Sequence, residues 1–306
     1  MEQNCKICLT IRKISSIMYV SRGLLCDGIR HRPQGIQSLK YAHERNSDMK
    51  PWEHYIRPHH IYGNLYFVGS RYGSTHLIDS EDGLILIDSG YPQTLYLLLE
   101  NIRALGFDPA NIRHVLHSHG HYDHLGATRA LIELYHPKTY LGEGDVDYAT
   151  GKRDLTWARE LGFYYDEQFT PDVLVRDGDK LTIGGIEFSF LGCPGHTEGA
   201  MTIFFSIDGD MGMKRCAMFG GAGFNSLNIP FLDRYGLPHS LREDFVTSLK
   251  RADEEHVDIH IGNHISCNRM EEKLAQQAKE GGNPFVDPEC WHRFLHETLE
   301  SFLKTQ

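Results

Sequence analysis

The chain has 306 residues, of which 41% are hydrophobic and 24% charged, an ordinary globular composition that excludes a low-complexity or disordered protein. Lys and Arg number 31 against 41 Asp and Glu, a formal net charge of −10, and with no basic cluster this gives no expectation of nucleic-acid binding. Seven cysteines, an odd and irregularly spaced set, do not form a disulfide framework and suit a reducing cytoplasm. No apolar run reaches the ~20 residues of a membrane helix, so no membrane association is expected.

Residues 1 to about 50 are rich in Arg, Lys, Ser and Gln and have no clear periodicity. They read as an N-terminal extension or poorly ordered arm, with Met49 as an alternative start. Cys5 and Cys8 have Cys-x-x-Cys spacing but no partner pair. The stretch Ile14–Val20 is too short and polar for the core of a signal peptide.

From Pro51 onward strand and helix signals alternate, and 51–306 reads as one domain. Strands are expected at 65–69, 74–79 and 84–88, the last two joined by the turn Ser80-Glu81-Asp82-Gly83. After Pro92, the spacing of Leu95, Leu98, Leu99, Ile102 and Leu105 predicts a helix stopped near Gly106. A short strand at 114–117 then runs into His119-Gly120-His121-Tyr122-Asp123-His124, followed by a helix from about 125 to 135. The aromatic stretch 145–171 reads as helical. Strands at 173–175, 180–183 and 186–191 read as a meander, continued at 201–207 and 216–219. The rest reads as a loop over 223–236, a helix at 240–252, a strand at 259–261 and two closing helices. Strands and helices thus recur in two similar blocks, the pattern of an α/β, four-layer αββα sandwich.

The histidine cluster carries the chemistry. His119, His121, Asp123 and His124 offer four metal-ligand side chains within six residues at the end of a strand. One tetrahedral site with a water position cannot use all four, and two adjacent metals accommodate them better. His196, in Pro194-Gly195-His196-Thr197, and His264, in Gly262-Asn263-His264, also follow expected strands, where functional groups gather in such folds. His114 and His117 do not fit the motif and read as structural, and Cys193 as a small buried side chain. The aromatic residues of 148–169 and the loop 223–236 are candidate cleft walls.

The segment Ser118–Gly126 resembles the signature of the metallo-β-lactamase superfamily. Leu84–Gly90 resembles its upstream strand and aspartate, and Pro194–Gly199 its third histidine motif; the likeness spans about residues 55 to 300. It implies the four-layer metallo-β-lactamase fold and two Zn²⁺ per chain, the first held by His119, His121 and His196, the second by Asp123, His124 and His264. It further implies a metal-bridging hydroxide acting on a carbonyl, with Asp123 as the catalytic carboxylate. Asp88 would brace the metal-binding loop. Phe219-Gly220-Gly221-Ala222-Gly223 lacks the bridging aspartate of many family hydrolases and the cysteine ligand of one lactamase subclass. With Asn283–Pro288, this resembles the lactamase subclass whose second site holds histidines and aspartate, although the serine frequent there near Ala222 is absent.

The expectation is therefore a cytoplasmic zinc hydrolase of a small-molecule substrate, a β-lactam or related cyclic amide. Oligomeric state is not read from the sequence. The alternatives are a hydrolase of a lactone, ester or thioester, a diiron redox protein, and a non-catalytic metal-binding module.

Overall fold

Alternation along the strands builds the layers. The computed structural model describes residues 50–305. One mixed sheet holds β1 (His59–Tyr62), β2 (Leu65–Phe67), β3 (His76–Ser80), β4 (Gly83–Ile87), β5 (Ile112–Leu116), β6 (Lys138–Gly142) and β7 (Val173–Val175) in that spatial order. The first four strands pair antiparallel and the last four parallel, β4 being common to both sets. The other sheet runs β12 (Ile259–His260), β11 (Lys214–Met218), β10 (Met201–Ile207), β9 (Ile186–Gly192) and β8 (Lys180–Ile183).

Successive residues of a strand face opposite sides of the sheet. In β4, Leu84 and Leu86 pack outward against α1 (Leu95–Ala104) and α3 (Thr128–Tyr135), through Leu98, Ile102 and Leu131. Ile85 and Ile87 face inward and meet Phe188, Phe190, Ile203 and Phe205 of the other sheet. Phe204 and Ala217 point to the far side, onto α6 (Leu241–Asp253) and α8 (Pro288–Leu303). Leu241, Phe245, Leu249 and Ala252 recur at helical spacing along α6, and the fully buried Trp291 anchors α8. The order is helix, sheet, sheet, helix, the four layers that the sequence pattern implies. Among the described residues, no helix is long and apolar enough to cross a membrane.

Several expectations are corrected. The stretch 145–171 is not a helix: only α4 (Val146–Ala149) is α-helical there. Gly151 and Gly162 adopt left-handed backbone, as does Trp157, and the apolar side chains divide between two small clusters around Phe169 and Tyr122 and the larger core that also holds Phe231 and Phe245. β7 leaves the supposed meander and pairs with β6 in the first sheet. The crossing follows at Arg176–Asp179, where the Asp179 carboxylate accepts from the Arg176 amide. The helix expected at 125–135 is split into α2 (Tyr122–Leu125) and α3, and the supposed loop at 223–236 contains α5 (Ile229–Tyr235). α5 is started by the Asn228 side chain, which accepts from the Phe231 amide. The two closing helices are α7 (Met270–Glu280) and α8. The strands β1 and β6 escaped the sequence reading. The proposed N-terminal extension, Cys5 and Cys8, and Met49 lie outside the described residues.

Candidate metal centre

Five strand ends converge on one edge of the sandwich. Asp88 follows β4, the segment 117–124 follows β5, His196 follows β9, Gly220–Gly223 follow β11, and His264 follows β12. These loops bring all six expected ligand residues together. Donor atoms of His119, His121 and His196 lie within 4.8 Å of one another, and so do those of Asp123, His124 and His264. The ring centroids of His119 and His124 are 4.2 Å apart, so the two triads are adjacent.

Most of the rings are oriented from behind. Asp88, fully buried, accepts from the Ser118 amide at 2.7 Å, the Ser118 hydroxyl at 2.7 Å and His124 Nδ1 at 2.8 Å. Its φ of +60° places it in the left-handed region, where Asp and Asn are the non-glycine residues best tolerated. This is the bracing position expected of Asp88. The Ser118 hydroxyl in turn lies 3.0 Å from His119 Nδ1. His196 Nδ1 bonds the Gly223 carbonyl. Gly221 has φ +145°, and a Cβ there would stand 2.3 Å from His196 Cδ2, so a glycine is required for the loop to pass that ring.

A further bracing residue escaped the sequence reading. Asp145, fully buried after β6, accepts from the Gly120 amide, the Thr197 hydroxyl and the Gly199 amide, each at 2.7 Å. It ties the His119–His121 loop to the His196 loop, two segments about 75 residues apart (196 − 121 = 75). Glu143-Gly144-Asp145 looks like an ordinary polar turn, and the one signal that could have marked it, its place directly after a strand, was lost with β6. Burial raises the Asp145 carboxyl to about 6 against the pull of its three donors.

The electrostatics suit cation ligation. Burial lowers His119 and His121 well below the usual imidazole value and His196 to about 4, so these rings offer neutral nitrogens. Burial alone would raise Asp123, but the charge of His124, with His264 and His121, holds it far below the carboxylate range. Burial also opposes charge on His124, and Asp123 and Asp88 override it and push the ring up to about 10.

Orphaned atoms supply the test of fit. Nε2 of His119 and Nε2 of His124 are buried without a hydrogen-bond partner. His124 Nε2 lies 3.1 Å from Asp123 Oδ2, close but not aligned for a hydrogen bond, and His264 Nε2 is 3.5 Å from the same oxygen. Buried polar atoms normally find partners. Five imidazoles and a carboxylate, with unpaired nitrogens turned to common points, fit two Zn²⁺ ions by donor chemistry.

The expected structural residues separate cleanly from the cluster. His117 is held by the Tyr140 carbonyl and the Thr128 hydroxyl, and His114 reaches Tyr140 Oη at 3.1 Å. Cys193 is buried, with the Thr202 hydroxyl 3.4 Å from its sulfur and its thiol pushed up to about 11 by burial. Both candidate wall segments reach the centre. A cleft of about 180 Å³ over His121, Asp123, His196 and His264 is walled by Tyr91, Trp157 and Leu161 on one side and Asn225 and Ser226 on the other.

The model of the Metallo-beta-lactamase superfamily matches residues 68–211, which carry Asp88, the histidine motif, Asp145 and His196. That match, just under half of the chain, is to a metallo-β-lactamase superfamily domain. Among solved structures of the superfamily fold, native FEZ-1 metallo-β-lactamase from Legionella gormanii is similar at 26% identity and a TM-score of 0.74, covering 82% of this chain and 95% of that one. BJP-1, a subclass B3 metallo-β-lactamase of Bradyrhizobium japonicum, shares the fold at a TM-score of 0.75 and 24% identity, covering 84% of this chain and 96% of that one. By sequence, the chain is similar to the "Probable metallo-hydrolase YflN" of Bacillus subtilis, at 24% identity over 155 residues. That match takes in 46% of this chain and 55% of the relative, so the chain spans about half the length of the curated relatives it matches. A hydroxyacylglutathione hydrolase of Idiomarina loihiensis is 29% identical over 119 residues, 39% of this chain and 36% of that protein. The relatives named here are lactamases and hydrolases, and the His/Asp cluster of this chain is compatible with a metal site.

Proposed function

We propose that this protein is a two-zinc hydrolase of a carbonyl compound, with a β-lactam or related cyclic amide as the leading substrate class. The observation that carries the reading is the pair of adjacent donor triads, His119/His121/His196 and Asp123/His124/His264, with buried Nε2 atoms that have no protein partner. Zinc at such a centre supplies Lewis acidity toward a carbonyl oxygen and makes a coordinated water acidic near pH 7. The residues supply the rest. Asp123, ionised and 13% exposed, faces the cleft beside His264 and is placed to orient a nucleophilic water and take its proton. Asp88 and Asp145 hold the two halves of the ligand set in register from behind. Tyr91, Trp157 and Leu161 limit water on one side of the cleft, and Asn225 and Ser226 offer polar contacts on the other.

The second reading is an ester, lactone or thioester hydrolase on the same centre. The likeness to a hydroxyacylglutathione hydrolase favours it, and the lack of a carboxylate in Gly220–Gly223 after β11 weighs against it. One panel separates the two: a chromogenic cephalosporin, an acyl-lactone and a glutathione thioester, each offered to zinc-reconstituted and to chelated protein. Zinc-dependent turnover of the cephalosporin above the others supports the leading reading. Turnover of the lactone or thioester alone replaces it with the second, and no zinc-dependent turnover of any of the three overturns both.

A further inference from the structure

His264 lines two clefts at once. On one side is the small cleft of Tyr91, Trp157 and Leu161, which among the described residues is lined by no Lys or Arg. On the other lies a larger one of about 480 Å³, walled by Arg71, Tyr72 and Arg269 and by Glu271 and Glu272. The imidazole thus stands between a cleft with one apolar wall, of Tyr91, Trp157 and Leu161, and a cleft lined by ionic side chains.

The apolar wall of the first cleft is firmly built. Trp157 holds φ +66°, rare for a bulky side chain, and its ring packs against Phe231 at 4.8 Å and faces His121 at 6.0 Å. The ionic compartment carries both signs of charge. Arg71 Nη2 meets Glu271 Oε1 at 2.9 Å, Arg269 leans out to Glu297 at 2.6 Å, and Glu272 has no cationic partner among the described residues. Exposed pairs of this kind are weak and open readily for a better-placed ligand. Arg269 is a second non-glycine residue held in left-handed backbone, at φ +54°, where it starts α7 at the edge of this cleft. A guanidinium pair beside two carboxylates is complementary to a group that carries a carboxylate and an ammonium together.

Resting on the reading of the centre as a carbonyl hydrolase, we propose that the substrate is elongated and two-armed. An apolar acyl arm lies against Trp157, and an amino-acid-like zwitterionic arm lies between Arg71, Arg269 and Glu272. The carbonyl that joins the arms sits at His264 and Asp123. Trp157 and Arg71 are then specificity-determining residues for opposite ends of one molecule.

The test is calorimetric binding to the zinc-loaded full chain of Nε-hexanoyl-lysine and its ornithine homologue, amides with a hexanoyl group at one end and a free α-amino acid at the other. N-pentylhexanamide is the neutral control. At least one amino-acid amide is expected to bind tenfold or more tightly than the control. Arg71→Leu combined with Arg269→Gly should abolish that preference, with the thermal midpoint confirming a folded variant. Trp157→Ala should weaken all three ligands and leave the preference in place. Equal binding of charged and neutral amides, or a preference that survives loss of both arginines, overturns the inference. The outcome is separable from the hydrolase reading. A charge preference in a protein that turns over none of the cephalosporin, lactone or thioester leaves the two-armed cleft standing and removes the hydrolase, and turnover without the preference does the reverse.

Discussion

Replacing Asp88 with asparagine removes one charge without removing bulk, and its consequence can be worked out atom by atom. Asp88 Oδ1 accepts from the Ser118 amide, while Oδ2 accepts from both the Ser118 hydroxyl and His124 Nδ1. In the Asp88→Asn variant one side-chain acceptor remains, and the Ser118 amide claims it. The new amide nitrogen then faces His124 Nδ1, and two donors cannot share that contact. The ring is driven to the tautomer protonated on Nε2, the nitrogen needed for metal. Asparagine tolerates the left-handed backbone at this position, so strain does not confound the result. Changes to groups that orient a metal-bound histidine cost about 10–100-fold in metal affinity, or ~1.4–2.7 kcal/mol. A competitive zinc titration against a chromophoric chelator should show the weaker of two sites loosened by that factor and the other within about threefold of wild type. Two sites of unchanged affinity would refute the argument that Asp88 sets the His124 tautomer.

Three other outcomes follow from the same contacts. The Asp145 carboxyl, raised to about 6 in the fold against 3.8 otherwise, binds its proton more tightly when folded. Its stability contribution is therefore complete below pH ~4 and lost as pH rises through about 6, by roughly 3 kcal/mol. The difference in unfolding free energy between wild type and Asp145→Asn should carry this slope between pH 4 and 7; a pH-independent difference contradicts the assignment. Gly221→Ala places a Cβ 2.3 Å from His196 Cδ2 at φ +145°, so it should cost more than about 1 kcal/mol and weaken zinc at the His119/His121/His196 site. An unchanged melting temperature with two tightly held zinc ions counts against this. Trp291→Ala empties a fully buried site between the second sheet and α8 and breaks the indole bond to the Ala252 carbonyl at 3.0 Å. Urea unfolding should show a loss of ~3–5 kcal/mol, and a loss below 1 kcal/mol would mean that the helix layer repacks.

The site was more legible in the sequence than the fold around it, for physical reasons. Metal ligation demands particular side chains, so His119, His121, Asp123 and His124 betray themselves locally, and His196 and His264 by following strands. The layers were legible because buried strands alternate, as Leu84 to Ile87 do between α1 and the inner core. β1 was hidden because two of its four residues are histidines, and His59 is packed by stacking on Phe67 and Phe285. The stretch after α4 was misread because its aromatic residues have the composition of an amphipathic helix while Gly151, Trp157 and Gly162 turn the backbone the other way. The role of Asp145 could not be read because its three donors come from residues 25, 52 and 54 positions away.

The central claim is that two zinc ions sit side by side, one held by each triad. Anomalous diffraction at the zinc edge, from crystals of protein reconstituted with excess zinc, tests it directly. The account predicts two peaks per chain about 3.5–4 Å apart, one contacting His119, His121 and His196 and the other Asp123, His124 and His264. A single peak, or peaks away from these six residues, would contradict it.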